Sequence, residues 1–114
     1  LPEDATMTMN TTYAASEPTR ADVDALPGPA LVEFGAPWCG HCQAAQPALA
    51  AALADQPGFR HLKIEDGRGR RLGRSYGIKL WPTLVVLRDG REVARVVRPT
   101  AQREIADALA QAAG

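Results

Sequence analysis

Cys39 and Cys42 are the only cysteines in this 114-residue chain, and just two residues, Gly40 and His41, separate them. A bridge between them closes so small a loop that it removes little chain entropy, which makes it a poor scaffold staple. Zinc needs about four ligands, and beyond the pair only His41 and His61 remain, so a metal site is disfavoured. What such a spacing does well is switch between dithiol and disulfide. Cys-x-x-Cys is a redox pair when a strand leads into it and a helix leads out.

The surrounding residues meet that condition. Ala30 to Gly35 is an apolar run interrupted only by Glu33, the pattern of a strand covered on both faces. From Gly40 to about Asp55 the chain is alanine-rich with helical periodicity, placing Ala45, Leu49, Ala52 and Leu53 on one face. Pro47 falls inside that helix and is expected to kink it. Cys39 therefore stands at a helix N-terminus, where unpaired N–H groups and the helix dipole favour thiolate over thiol. Cysteines so placed have pKa values of about 3.5–7.5, against about 8.5 when free. Cys42, one turn deeper, is expected to be more buried and less acidic. The asymmetry makes Cys39 the attacking sulfur and Cys42 the resolving one. An imidazolium at His41 would add positive charge at the same helix end. Glu33, in an otherwise apolar strand, is expected to be desolvated and its pKa raised, unless it reaches solvent at the strand end.

The rest of the chain supplies flanking elements. Residues 1–9 carry no pattern and read as disordered, or as a remnant of cloning or of leader removal; the folded domain spans 10–114. Thr11 to Ala15 reads as a first edge strand. Thr19 caps a short helix over Arg20 to Leu26, ended by Pro27-Gly28-Pro29. Phe59 to Glu65 alternates as a strand with Leu62 and Ile64 inward, leaving His61 to the surface or to sheet packing. A short helix falls within Asp66 to Ser75. Thr83 to Leu87 and Glu92 to Val97 form a hairpin around Asp89-Gly90. A last helix runs from its cap Thr100 to about Ala112, burying Ile105, Leu109 and Ala112. The order is β-α-β-α-β-α-β-β-α, an α/β chain with a central mixed sheet flanked by helices, and the cysteine pair lies where open α/β sheets place their sites.

Val32 to Cys42, with its Trp38-Cys39-Gly40-His41-Cys42 turn, resembles the active-site region of the thioredoxin superfamily, and Cys-Gly-His-Cys is similar to the protein disulfide isomerase version. The resemblance extends over roughly Thr11 to Ala112 and implies a thioredoxin fold. It implies that Glu33 is the family's buried acid, a proton acceptor for Cys42, with Lys63 as a neighbour on the adjacent strand. Trp81-Pro82-Thr83 resembles the cis-proline loop, which implies a cis Trp81–Pro82 bond facing the dithiol. The Trp81 backbone would then pair with an extended substrate, and Trp38 would complete an apolar rim. His41 stands where thioredoxins usually carry proline, implying a more oxidising disulfide. Three positions depart from the pattern: Gln43 replaces a basic residue, Gly35 an aromatic, and Arg98 a glycine near the substrate face. The last implies narrower or different clients.

Thirteen basic and thirteen acidic residues balance over the chain, with 46% apolar content. Residues 1–59 hold one base and seven acids, residues 60–114 twelve bases and six acids, a division read mainly as solvated surface. Gly67-Arg68-Gly69-Arg70-Arg71 has acids beside it and lacks interleaved aromatics, which argues against nucleic acid. No apolar run reaches a membrane span of about 20 residues. The expected function is a thiol–disulfide oxidoreductase, needing no cofactor or metal and working as a monomer. Its partners are protein disulfides or dithiols and a redox protein of the reductase or oxidase type. The competing reading is a peptide-binding module on the same fold with incidental redox chemistry; a permanently oxidised secreted domain is a third. The compartment expected is cytoplasmic, or periplasmic or secreted if a leader has been removed.

Overall fold

The computed structural model describes residues 9–113. Its order is α1 (Arg20–Asp24), β1 (Pro29–Gly35), α2 (Gly40–Ala54), β2 (Arg60–Glu65), α3 (Arg71–Ser75), β3 (Thr83–Arg88), β4 (Arg91–Val97) and α4 (Gln102–Ala110). The four strands form one mixed sheet in the order β2-β1-β3-β4. β1 pairs in parallel with β2 and antiparallel with β3, and β3 pairs antiparallel with β4. β1 is thus central, and alternation along it feeds two cores. Ala30, Val32 and Phe34 pack with Val23, Ile64, Leu72 and Tyr76 on the side of α1 and α3. Leu31 packs with Leu49, Leu53, Leu84, Ile105 and Leu109 on the side of α2 and α4. Period-two alternation puts Glu33 and Gly35 on the α2 side as well, which decides what they can touch.

The expected first strand over Thr11–Ala15 is absent among the described residues. This segment still lies along the open edge of β2, where Ala14 N–H donates to the Lys63 carbonyl at 2.9 Å. A ladder does not form because side chains take the intervening bonds. Asn10 N–H donates to His61 Nδ1 at 2.8 Å, and the Asn10 side-chain amide donates to the His61 carbonyl. The expectation of disorder over residues 1–9 lies, apart from Met9, outside the described residues; Met9 packs against the core.

Local signals account for the remaining boundaries. Thr19 Oγ1 accepts from Asp22 N–H at 3.0 Å while the Asp22 carboxylate accepts from Thr19 N–H at 3.1 Å, closing a capping box on α1. α2 continues through Pro47, and its buried face is Cys42, Ala45, Leu49, Ala52 and Leu53. Asp89 and Gly90 both take positive φ, 52° and 81°, as a two-residue hairpin turn between right-twisted strands requires. At α4 the N-cap is Ala101 rather than Thr100, and the first turn is closed from inside. Glu104 reaches back to accept from the backbone N–H groups of Thr100 and Ala101, at 2.7 and 3.1 Å. Among the described residues no helix is long and apolar enough to cross a membrane.

Candidate active site

β1 ends at Gly35 and the chain turns through Ala36-Pro37-Trp38 into α2, whose N-cap is Cys39. The Cys39 sulfur takes the part that a serine or aspartate oxygen plays in an ordinary cap. It accepts from Cys42 N–H at 3.1 Å. Both cysteines are free thiols and both are buried, at 7% and 1% exposure, so Cys39 is the more accessible of the two. Burial raises the Cys42 pKa. Its hydrogen bond to Cys39 and the negative charges at Cys39 and Glu33 act in the same direction, opposed by the Ala36 backbone N–H.

Glu33 lies wholly buried and opposite Lys63 in the β1–β2 register. Its Oε2 accepts from Lys63 Nζ at 2.8 Å and from Gln46 Nε2 at 2.9 Å. Its Oε1 lies 2.9 Å from His61 Nε2. Because Asn10 N–H can only donate, His61 Nδ1 must accept, so Nε2 carries the proton and gives it to Glu33 as a hydrogen bond. The expectation that burial would leave this carboxyl raised is corrected. Desolvation is the largest single influence and does push it up. The bonds from His61, Lys63 and Gln46, with the Lys63 charge, together outweigh it and hold Glu33 below its ordinary value. Gln46 also donates to the Cys42 carbonyl at 2.8 Å, which ties the carboxylate to Cys42 through one side chain.

His61 is likewise corrected from a surface or packing residue to a fully engaged member of this buried network. Among the described residues, no three His, Cys, Asp or Glu side chains gather as a metal site. His41 sits exposed in the first turn of α2.

The Trp81–Pro82 bond is cis, and Trp81 packs against the cluster of Ala36, Cys39 and Cys42. Its indole N–H donates to Asp66 at 2.9 Å, and Trp38, exposed, meets it edge-on at 5.4 Å between ring centroids. The two indoles therefore form the expected rim. Thr83, expected as a substrate contact, is buried, with its hydroxyl donated to the Leu80 carbonyl at 2.6 Å; it shapes the loop. The Trp81 carbonyl is not free either. Arg98, at a positive φ of 49°, folds back and donates from Nε to that carbonyl at 2.8 Å.

A buried dithiol at a helix mouth, a desolvated acid behind it and a cis-proline loop across from it make a site for thiol–disulfide exchange. Comparison with known proteins agrees. The family model described as Thioredoxin matches residues 7–111. The chain belongs to the thioredoxin family. Curated relatives include a thioredoxin of Chlamydia muridarum, 39% identical over 61% of this chain and 69% of that protein. Another is protein disulfide-isomerase A3 of Gallus gallus, 37% identical over 77% of this chain but only 18% of that protein. Among solved structures, thioredoxin 2 of Pseudomonas aeruginosa PAO1 in its reduced form is 62% identical. That match covers 88% of this chain and 93% of the other at a TM-score of 0.78. As a member of the thioredoxin family the chain is a thiol–disulfide oxidoreductase of thioredoxin fold, acting on protein disulfides.

Tyr13, Gln46 and Asn10 also reach the site, and no local pattern marked Tyr13 or Asn10. Tyr13 places its ring over Lys63 Nζ at 4.5 Å, and its hydroxyl and the Cys42 sulfur both border the space left by Gly35. Gln46 carried one readable signal, a polar residue one helical turn beyond Cys42.

Proposed function

We propose that this protein exchanges disulfides at a potential above that of ordinary thioredoxin, toward the isomerase range. In this reading Cys39 attacks and Cys42 resolves. The observation that carries the division of labour is the Cys39 sulfur serving as helix cap while Cys42 lies beneath it. Charge at His41, exposed one residue inside the helix mouth, would favour the reduced pair. Each ~1.4 kcal/mol of such preference raises the potential by about 30 mV. The support for client selection is Arg98, whose guanidinium covers the Trp81 carbonyl. An extended client then meets a cation where a bare carbonyl would pair, which favours clients offering an acceptor there. Glu33, held ionised by three donors, acts through its charge and through Gln46.

Two measurements test the reading. Cys39→Ser should abolish reduction of insulin disulfides, and retained activity would return the fold to a peptide-binding role. His41→Pro should lower the equilibrium potential against glutathione by tens of millivolts, on the order of the conversion above. A variant that is equally or more oxidising removes His41 from the account.

A further inference from the structure

Gly35 has no side chain at the one place where two reactive groups converge. A Cβ built there would lie 2.5 Å from Cys42 Sγ and 3.1 Å from the Tyr13 hydroxyl oxygen, so the notch left by the glycine is where the phenol and the thiol meet. Tyr13 comes from the irregular segment ahead of α1, and three contacts hold that segment in place. Asn10 bonds to His61, Ala14 N–H donates to the Lys63 carbonyl, and the tyrosine ring lies on the Lys63 ammonium. Tyr13 and Cys42 together line an apolar groove of ≈ 620 Å³ that also includes Met9, Pro37 and Pro47. The phenol is held neutral. Burial raises its pKa, as do the charges at Cys42, Glu33 and Cys39, so it stays a donor throughout the working range.

Resting on the oxidoreductase reading of the dithiol, we propose that Tyr13 is a catalytic residue of the resolving step, its hydroxyl donating a hydrogen bond to the Cys42 sulfur as that sulfur becomes the nucleophile. Once Cys39 is bonded to a substrate sulfur, it no longer offers Cys42 a charged partner. Cys42 must then lose its proton and attack Cys39 Sγ. The Cys42–Cys39 bond forms, the Cys39–substrate bond breaks, and the electron pair leaves on the substrate sulfur. The proton from Cys42 passes to solvent at the groove and the departing thiolate takes one up from solvent. Two enzyme thiols are oxidised, one substrate disulfide is reduced, and no other reactant enters. A donor that bonds the thiolate more strongly than the thiol favours the attacking form. The groups facing Cys42 are Cys39 from α2, Glu33 from β1 and Tyr13 from the N-terminal segment. Tyr13 is the side chain among them that can donate; Glu33 brings negative charge that opposes ionisation, and Cys39, once bonded to substrate, brings none.

Tyr13→Phe removes the hydroxyl and keeps the ring over Lys63. Mixing the reduced protein with excess 5,5′-dithiobis(2-nitrobenzoate) in a stopped-flow cell separates the two steps. The first release of coloured thiolate scales with reagent concentration and reports Cys39. The second is independent of it and reports Cys42. Tyr13→Phe should slow the second phase by about tenfold at pH 7, the typical loss of a hydrogen bond to a charged group, and move its pH midpoint upward. The first phase should stay within about twofold. An unchanged second phase, or both phases slowed by one common factor, overturns the proposal. Either result leaves the oxidoreductase reading standing, because that reading fails only if the wild-type protein shows no second phase.

Discussion

Glu33 accepts three hydrogen bonds and opposes one buried ammonium, so neutralising it leaves Lys63 with a charge and no counter-charge. Glu33→Gln should lower stability to urea at pH 7 by about 3 kcal/mol, the usual cost of breaking a buried pair from one side. The pH dependence follows from the direction of the shift. A carboxyl whose folded pKa lies below its ordinary 4.5 contributes stability above that value and loses it as pH falls through the folded one. Wild type should therefore lose stability on acidification below about pH 4.5 more steeply than Glu33→Gln, as read from urea midpoints across that window. At the neighbouring position, Gly35→Ala places a methyl 2.5 Å from Cys42 Sγ and should destabilise by about 2 kcal/mol as the thiol is displaced. Cys39, Cys42, Glu33 and Pro82 were legible in the sequence because each stands out from its immediate neighbours: two lone cysteines, an acid in an apolar run, and a proline opening a strand. Tyr13 and His61 were not. Their partners stand 29 and 28 positions away, and no spacing rule connects a tyrosine in a polar stretch to a cysteine across the sheet edge.

Local propensity reads well for elements that also pack locally. The α1 capping box, the Asp89-Gly90 turn and the buried face of α2 all appear where composition and period put them. The missing first strand shows the converse. Thr11, Thr12 and Tyr13 favour extended backbone, but a strand exists only if an edge accepts its ladder, and Asn10 takes the His61 carbonyl with a side chain. The hairpin carries a prediction at this scale. A Cβ at Gly90 would lie 1.8 Å from the Asp24 carbonyl oxygen, in a backbone conformation of φ 81°. Gly90→Ala should cost about 3 kcal/mol by urea unfolding, since backbone strain and a clash with α1 add together. The loop after β4 carries another. Arg98→Ala frees the Trp81 carbonyl, so KM for an extended peptide disulfide without acidic residues should fall, by about fivefold for one hydrogen bond regained.

Over the whole molecule, the two cores on either side of β1 were legible from its apolar run, broken only by Glu33, and the parallel β1–β2 pairing from the helix between them. What could not be read was that one buried polar network joins the chain's beginning to its reactive centre. His61→Leu tests this directly. It removes a donor from Glu33 and an acceptor from Asn10, so it should lower stability by about 2 kcal/mol and make the segment before Ser16 the first site of protease cleavage. The glycine at the end of β1 has a further consequence for engineering. Grafting Cys-Gly-His-Cys onto a scaffold with a bulky side chain at that position would transplant the two sulfurs without room for the phenol beside Cys42. The groups that border Cys42 are therefore portable only as a pair of distant loci, the turn and the stretch just ahead of α1.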